Sequence, residues 1–209
     1  MKKISWIIAC IYMGIGFGQN DPEAAALLEK VAQQIENYQT VSFDFSYSLE
    51  NLEEQIRQES SGKVWLEGNK YRLEFLGLIQ IFDEEKLYTI VPENEEITIS
   101  TPEEEDAGFN PSKLLYFFQE GYAYQMDIVQ NVMGRKIQFI KLIPTEENTE
   151  IDYLLLGIDI NSLNIYRLIE IGSNGTRTTL TLLSQTDNAK LPEGTFVFQE
   201  EDYPGYFID

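Results

Sequence analysis

The residues that most often carry enzyme chemistry are missing from this sequence. Its 209 residues include no histidine and one cysteine, Cys10. Without imidazole, Ser-His-Asp and Cys-His mechanisms lose the base that shuttles the proton, and the common zinc sites lose nitrogen and sulfur ligands together. There is no phosphate-cradling glycine loop and no Gly-x-Ser-x-Gly elbow. Carboxylate chemistry, lysine chemistry or an oxygen-ligated metal remain. Asn51-Leu52-Glu53-Glu54 and the acidic run 103–106 offer neighbouring carboxylates of the kind used in acid–base pairs. With 35 acidic residues in the chain, such neighbours arise by chance. No loop has the ligand spacing of an EF-hand. The sequence reads as a binding protein, not an enzyme, with no cofactor and no metal.

The chemistry on offer is that of apolar faces. Val41, Phe43, Phe45, Tyr47 and Leu49 alternate with Ser42, Asp44, Ser46, Ser48 and Glu50, the period-two pattern of a half-buried strand. The chain holds 12 Phe, 12 Tyr and two Trp, and Trp65, Tyr71, Phe75 and Tyr88 fall on further expected strands. Leu114, Leu115, Tyr116, Phe117 and Phe118 are consecutive, and they wrap most of a short helix that must find apolar surroundings on more than one side. Val41, Phe43, Phe45, Tyr47, Trp65, Leu73, Phe75, Leu114, Leu115 and Phe118 form the expected ligand surface. The same pattern fits an ordinary aromatic core filled by its own side chains. A slip of one residue in register inverts every assignment on a strand.

The elements that must position these side chains begin with a helix. Asp21 is its N-cap, Pro22 its first residue and Glu23 lies in its positive first turn. Ala24, Leu27, Leu28, Val31, Ile35 and Tyr38 form one apolar stripe. After the strand at Val41, further strands are expected at 56–66, 70–75, 78–82, 87–91 and 96–100. A helix over 111–120 follows, capped by Asn110 and closed by Gly121. Five more strands are expected at 122–130, 136–143, 151–160, 165–171 and 176–184. Gly68-Asn69, Gly77, Met133-Gly134, Asn161-Ser162 and above all Asn174-Gly175 mark the turns between them. Ten or eleven short strands in sequential hairpins make a mainly β fold, an antiparallel meander long enough to curl into a barrel or half-barrel. The hydrophobic middle helix would plug or lid its mouth.

Residues 1–18 read as a secretory signal: Lys2 and Lys3, an apolar stretch over 4–17, and small Gly16 and Gly18 before a cut at Gln19. Lipidation at Cys10, after Ile7-Ile8-Ala9, is the rival reading. The cut leaves 19–209 as one domain, with no cysteine and hence no disulfide. The formal charge is −20, and loss of Lys2 and Lys3 leaves 13 basic residues against 35 acidic ones. Such a chain is repelled by nucleic acid and anionic membranes and attracted by basic partners. Solubility alone would also account for the acidity.

Short segments in order along the chain resemble the LolA-type outer-membrane lipoprotein carriers, in particular those of Bacteroidetes. They are Leu27-Leu28-Glu29-Lys30-Val31, Tyr38-Gln39-Thr40-Val41-Ser42-Phe43-Asp44-Phe45, Gly62-Lys63-Val64-Trp65-Leu66-Glu67-Gly68-Asn69-Lys70-Tyr71-Arg72-Leu73, Asn110-Pro111-Ser112-Lys113-Leu114, Asn174-Gly175-Thr176-Arg177, Leu191-Pro192-Glu193-Gly194-Thr195-Phe196-Val197-Phe198 and Tyr203-Pro204-Gly205. The resemblance implies a half-closed antiparallel β-barrel with a helical lid over an apolar cavity. That cavity shields lipoprotein acyl chains in the periplasm, between an inner-membrane ABC transporter and an outer-membrane acceptor. The chain is expected to act as a monomer. A carrier of a free lipid, glycolipid or pigment precursor, or an envelope sensor that binds a protein, would use the same fold. Gly68 stands where the proteobacterial carriers place the arginine that latches the lid; Lys63, Lys70 and Arg72 are the nearby cations.

Overall fold

The computed structural model of the chain describes residues 20–101, 110–146 and 150–209. The proposed signal peptide, Cys10, and the acidic run 103–106 lie outside these residues. The elements are α1 (Pro22–Glu36), β1 (Thr40–Asn51), β2 (Ile56–Glu67), β3 (Lys70–Phe75), β4 (Leu78–Phe82), β5 (Leu87–Val91), β6 (Glu96–Ser100), α2 (Pro111–Leu114), β7 (Tyr122–Val132), β8 (Arg135–Pro144), β9 (Ile151–Asp159), β10 (Ile165–Gly172), β11 (Thr176–Asp187) and β12 (Phe207–Ile208). All twelve strands form one sheet, in the order β12-β6-β5-β4-β3-β2-β1-β11-β10-β9-β8-β7. Two meanders, β1–β6 and β7–β11, are joined where β1 pairs with β11. The sheet curls but stays open, with β7 at one end and the short β12 at the other. β12 was not expected. It pairs parallel to β6, across more than a hundred residues of chain, and covers that strand's edge.

Register fixes the two faces. Phe43 lies opposite Val64, which lies opposite Leu73; Val41 lies opposite Leu66, which lies opposite Tyr71. On the far side, Tyr47 pairs with Leu180 and Phe45 with Leu182. These residues share the concave face and one core with α1. Ala24, Leu28, Val31 and Ile35 of α1 are at most 5% exposed within that core. The helix is pinned at both ends. The Asp21 carboxylate accepts the N–H groups of Glu23 (2.9 Å) and of Met126 on β7 (3.3 Å). Near the other end, the Gln34 amide donates to the Ser162 carbonyl (2.6 Å) and to Asn164 Oδ1 (2.7 Å) in the β9–β10 turn. Two smaller cores lie on the convex face. Ile81, Ile90 and Ile97 are covered by Phe198, Tyr203, Tyr206 and Ile208 of the tail, and Ile137, Phe139 and Ile169 pack together on β8 and β10.

Gly62 faces inward beneath Phe45. A Cβ there would collide with the Phe45 ring and come within 2.7 Å of the Glu74 carbonyl oxygen, so only glycine lets this ring lie flat on the sheet. Gly62→Ala is expected to lower the unfolding free energy by about 1–3 kcal/mol, measured by chemical denaturation. Asp159 gives the fold a pH dependence. Burial by itself would push its carboxyl up, but Arg135 donating at 2.7 Å and the N–H groups of Asn161 and Ser162 outweigh burial and hold it below its ordinary value. A carboxyl lowered by folding contributes its full stability above its unfolded value of about 4, and loses it as pH falls through the lower folded value. Urea midpoints measured from pH 7 down to pH 2 are expected to fall in that acid window. They should fall less in Asp159→Asn, which starts from a lower stability at pH 7.

Candidate ligand trough

The concave face is largely apolar around its core and only partly covered. Beneath α1 it is closed: Val41, Phe43, Phe45 and Leu73 are each at most 5% exposed. Towards the end of the sheet that carries the β1–β2 and β3–β4 turns, side chains on the same face remain part-exposed. Tyr47, Leu49 and Phe75 are half-buried, and Leu78 is 36% exposed. An aromatic chain runs from the floor to this rim. Phe43 and Phe45 are 6.3 Å apart, Phe45 and Phe75 5.2 Å, and Phe75 meets Tyr47 edge-on at 5.4 Å. Such tilted contacts suit the ring quadrupoles, so the rings pack favourably without any polar group.

The middle segment crosses this trough as a lid. It is not the single helix expected over 111–120. Pro111 and the Asn110 cap, which accepts from Ser112 N–H at 2.9 Å, start α2, but the helix ends at Leu114; a 3₁₀ turn at Phe117–Gln119 follows. Aromatic residues are poor helix formers, and the break lets both Leu115 and Phe118 turn inward, at 7% and 1% exposure. The lid is tied down by Tyr124 of β7, whose hydroxyl lies 2.9 Å from the Phe118 carbonyl oxygen and 3.1 Å from that of Gln119. Phe117 meets Tyr122 edge-on at 6.1 Å. Clefts flank the lid, one of about 640 Å³ towards the β2–β3 turn and one of about 410 Å³ towards α1. At Gly68, in a left-handed turn (φ +58°), a Cβ would meet nothing. The side chains named as nearby cations lie on the convex face. Lys63 and Arg72 stack over Trp65, and Arg72 pairs with Glu74 at 2.9 Å. Lys70 faces the same way, since its neighbour Tyr71 points inward. None of the three latches the lid; the Tyr124 hydroxyl does.

Nine of the ten residues expected at the ligand surface share the concave core: Val41, Phe43, Phe45, Leu73, Leu115 and Phe118 within it, and Tyr47, Phe75 and Leu114 packed against it. Trp65 is not brought to them. It lies between the inward-facing Val64 and Leu66 and opposite Ser42, so its ring is on the convex face beneath Lys63. Sequence reasoning missed Leu78, Leu168, Phe117 and Tyr122 on the trough side. Alternation along β10 and β7 could have placed Leu168 and Tyr122, but Phe117 needed the lid's fold. If the floor is core and the rim is trough, Phe43→Ala should lower stability by about 3–5 kcal/mol and Phe75→Ala by about 1–2 kcal/mol, both read by denaturant unfolding.

The chain matches the family model described as outer membrane lipoprotein carrier protein LolA over residues 36–199. No curated protein matches it in sequence. Among solved structures, an uncharacterized conserved protein from Thermus thermophilus is similar, at 11% identity, over 90% of this chain and 98% of that one, with a TM-score of 0.56. LprF from Mycobacterium bovis is similar at 11% identity over 84% and 99%, with a TM-score of 0.55. MucB is similar at 17% identity over 87% and 64%, with a TM-score of 0.52. At these identities the structures speak to the fold alone.

Proposed function

The chain belongs to the LolA family of outer membrane lipoprotein carrier proteins, and from that premise we propose that it carries lipoprotein acyl chains in its concave trough across the periplasm. The observation that carries this reading is the apolar rim left part-exposed on the concave face, at Tyr47, Phe75 and Leu78, while a lid fixed by few contacts covers the same face towards the β2–β3 turn. An apolar surface of this kind is costly to leave wet. Each methylene buried there contributes about 0.8 kcal/mol, so two partly buried acyl chains reach the roughly 8 kcal/mol of micromolar binding. In this reading the protein works by binding and release. Among the described residues no helix is long and apolar enough to cross a membrane, and no cluster of three metal-ligating side chains occurs.

In this reading residues 1–18 are the export signal and 19–209 the carrier domain. Cargo comes from an inner-membrane ABC transporter and passes to an outer-membrane acceptor. The strongly acidic surface favours basic docking faces on both. Loading displaces the lid, and the Tyr124 hydroxyl sets the resistance to that movement.

The test is direct. The chain from Gln19 onward, mixed with a triacylated lipopeptide and passed over a gel-filtration column, is expected to carry the lipopeptide in its own peak. Phe75→Asp and Leu78→Asp should cut retention at least tenfold with unchanged circular dichroism. If the unaltered protein retains no lipopeptide, the carrier reading fails. Tyr124→Phe frees the lid and should raise the on-rate for the lipopeptide several-fold.

A further inference from the structure

One charged side chain stands on the concave face beside buried leucines. Along β10 the side chains alternate, and Leu168 and Glu170 share the inward face. Leu168 lies opposite Leu156 and Leu180, and Glu170 lies opposite Leu154 and Thr178. Following Glu170's row outwards across the sheet gives Leu49 on one side, and Leu142 and Tyr124 on the other. Leu154 and Leu142 are 3% and 0% exposed. Among the described residues, no ion pair or hydrogen bond engages the Glu170 carboxylate. It is half-buried, and burial pushes its carboxyl above the ordinary value. Its charge is close enough to Tyr122 on β7 to add to the effect of burial, which first raises that hydroxyl.

The place of this row matters. Successive inward rows lie about 6.8 Å apart along a strand. The row of Phe45, Gly62 and Phe75 comes first, that of Tyr47, Leu180 and Leu168 second, and that of Leu49, Thr178 and Glu170 third. An aliphatic tail lying on the first two rows brings its polar root to the third. That third row also contains Tyr124, the residue that holds the lid. A carboxylate taken out of water among leucines is destabilising until a donor reaches it. A hydrogen bond to it is strongest when the donor is cationic.

We propose that Glu170 is the recognition point for the root of the ligand, and that the trough selects tails whose root carries an N–H donor, an ammonium before an amide, over ester, alcohol or anionic heads. The inference rests on reading the trough as an acyl-chain site. It explains why a chain that could have placed any apolar residue at position 170 keeps a carboxylate there. It also assigns that residue to specificity and not to the fold.

The experiment compares dodecylammonium and dodecanol by calorimetry, at one pH and ionic strength, on the protein from Gln19 onward. Dodecylammonium is expected to bind at least tenfold tighter than dodecanol. Glu170→Gln should bring the two within threefold while leaving dodecanol binding unchanged. Glu84→Gln, an exposed carboxylate on the β4–β5 turn, controls for the acidic chain's general attraction for cations and should leave the preference intact. If dodecanol does not bind the unaltered protein, the trough reading itself fails. If dodecanol binds but the preference is absent, or survives in Glu170→Gln, the trough stands and the role of Glu170 is overturned. Two natural sources of such a root are separated by competition with bound dodecylammonium. A diacylated lipopeptide with a free amino terminus displacing it at lower concentration than an aminolipid of equal chain length assigns the root to the peptide. The reverse order assigns it to the lipid, and displacement by neither overturns the proposal.

Discussion

Everything in this structure depends on β1 being hydrogen-bonded on both sides. Twelve residues of β2 pair with it along one edge, and β11 pairs with it along the other. Neither edge can slip, because a one-residue shift would turn Val41, Phe43 and Phe45 out to water and Ser42, Asp44 and Ser46 into the core. The two meanders are therefore locked at a common register. From that register the concave face is carried outward, strand by strand, as far as Leu87 on one wing and Tyr124 on the other. The convex face is defined by the same parity, and takes its own cover from the tail on one wing and from packing between β8 and β10 on the other.

A sheet that curls this far encloses more concave surface than one helix can fill. α1 lies across part of it and is tied at Asp21 and Gln34 to opposite parts of the second meander. The lid takes a second part, and the rest stays lined with half-exposed aromatic and aliphatic side chains. The two covers differ in how firmly they are held. α1 buries a full apolar stripe, and displacing it would expose the core of the protein. The lid buries Leu115 and Phe118 and is fixed by one hydroxyl and an aromatic edge. Local opening selects the cover with fewer buried contacts, so the lid is the part of this fold that can move while the sheet stays intact.

Family membership at low identity to solved relatives fits this view. Alternation of apolar and polar residues, turn chemistry and one amphipathic helix specify the sheet, and many sequences satisfy them. Local devices differ. At the turn after β2, Gly68 occupies a left-handed position with open space beside it, and the nearby cations are engaged with Trp65 and Glu74 on the other face. The lid is instead held from β7. A latch needs a donor placed near the lid's carbonyls, and here the Tyr124 hydroxyl supplies it.

The local elements were legible in the order of the residues. The period-two runs gave eleven strands to within a few residues, Asp21-Pro22 gave the start of α1, and Asn174-Gly175 gave a tight hairpin with Gly175 at φ +79°. These features rest on interactions between residues a few positions apart, so the chain spells them out locally. What lies far apart in sequence was set only when the chain folded. Trp65 faces outward because its strand is registered against β1, and no property of its neighbours in sequence says which face is concave. β12 pairs with β6 because the tail returns to an uncovered edge. α1 covers part of the trough because the sheet curls round it. Glu170 stands inside because its row continues across six other strands. Periodicity tells which residues share a face; only closure of the sheet, through long-range register and curvature, tells which face is inside.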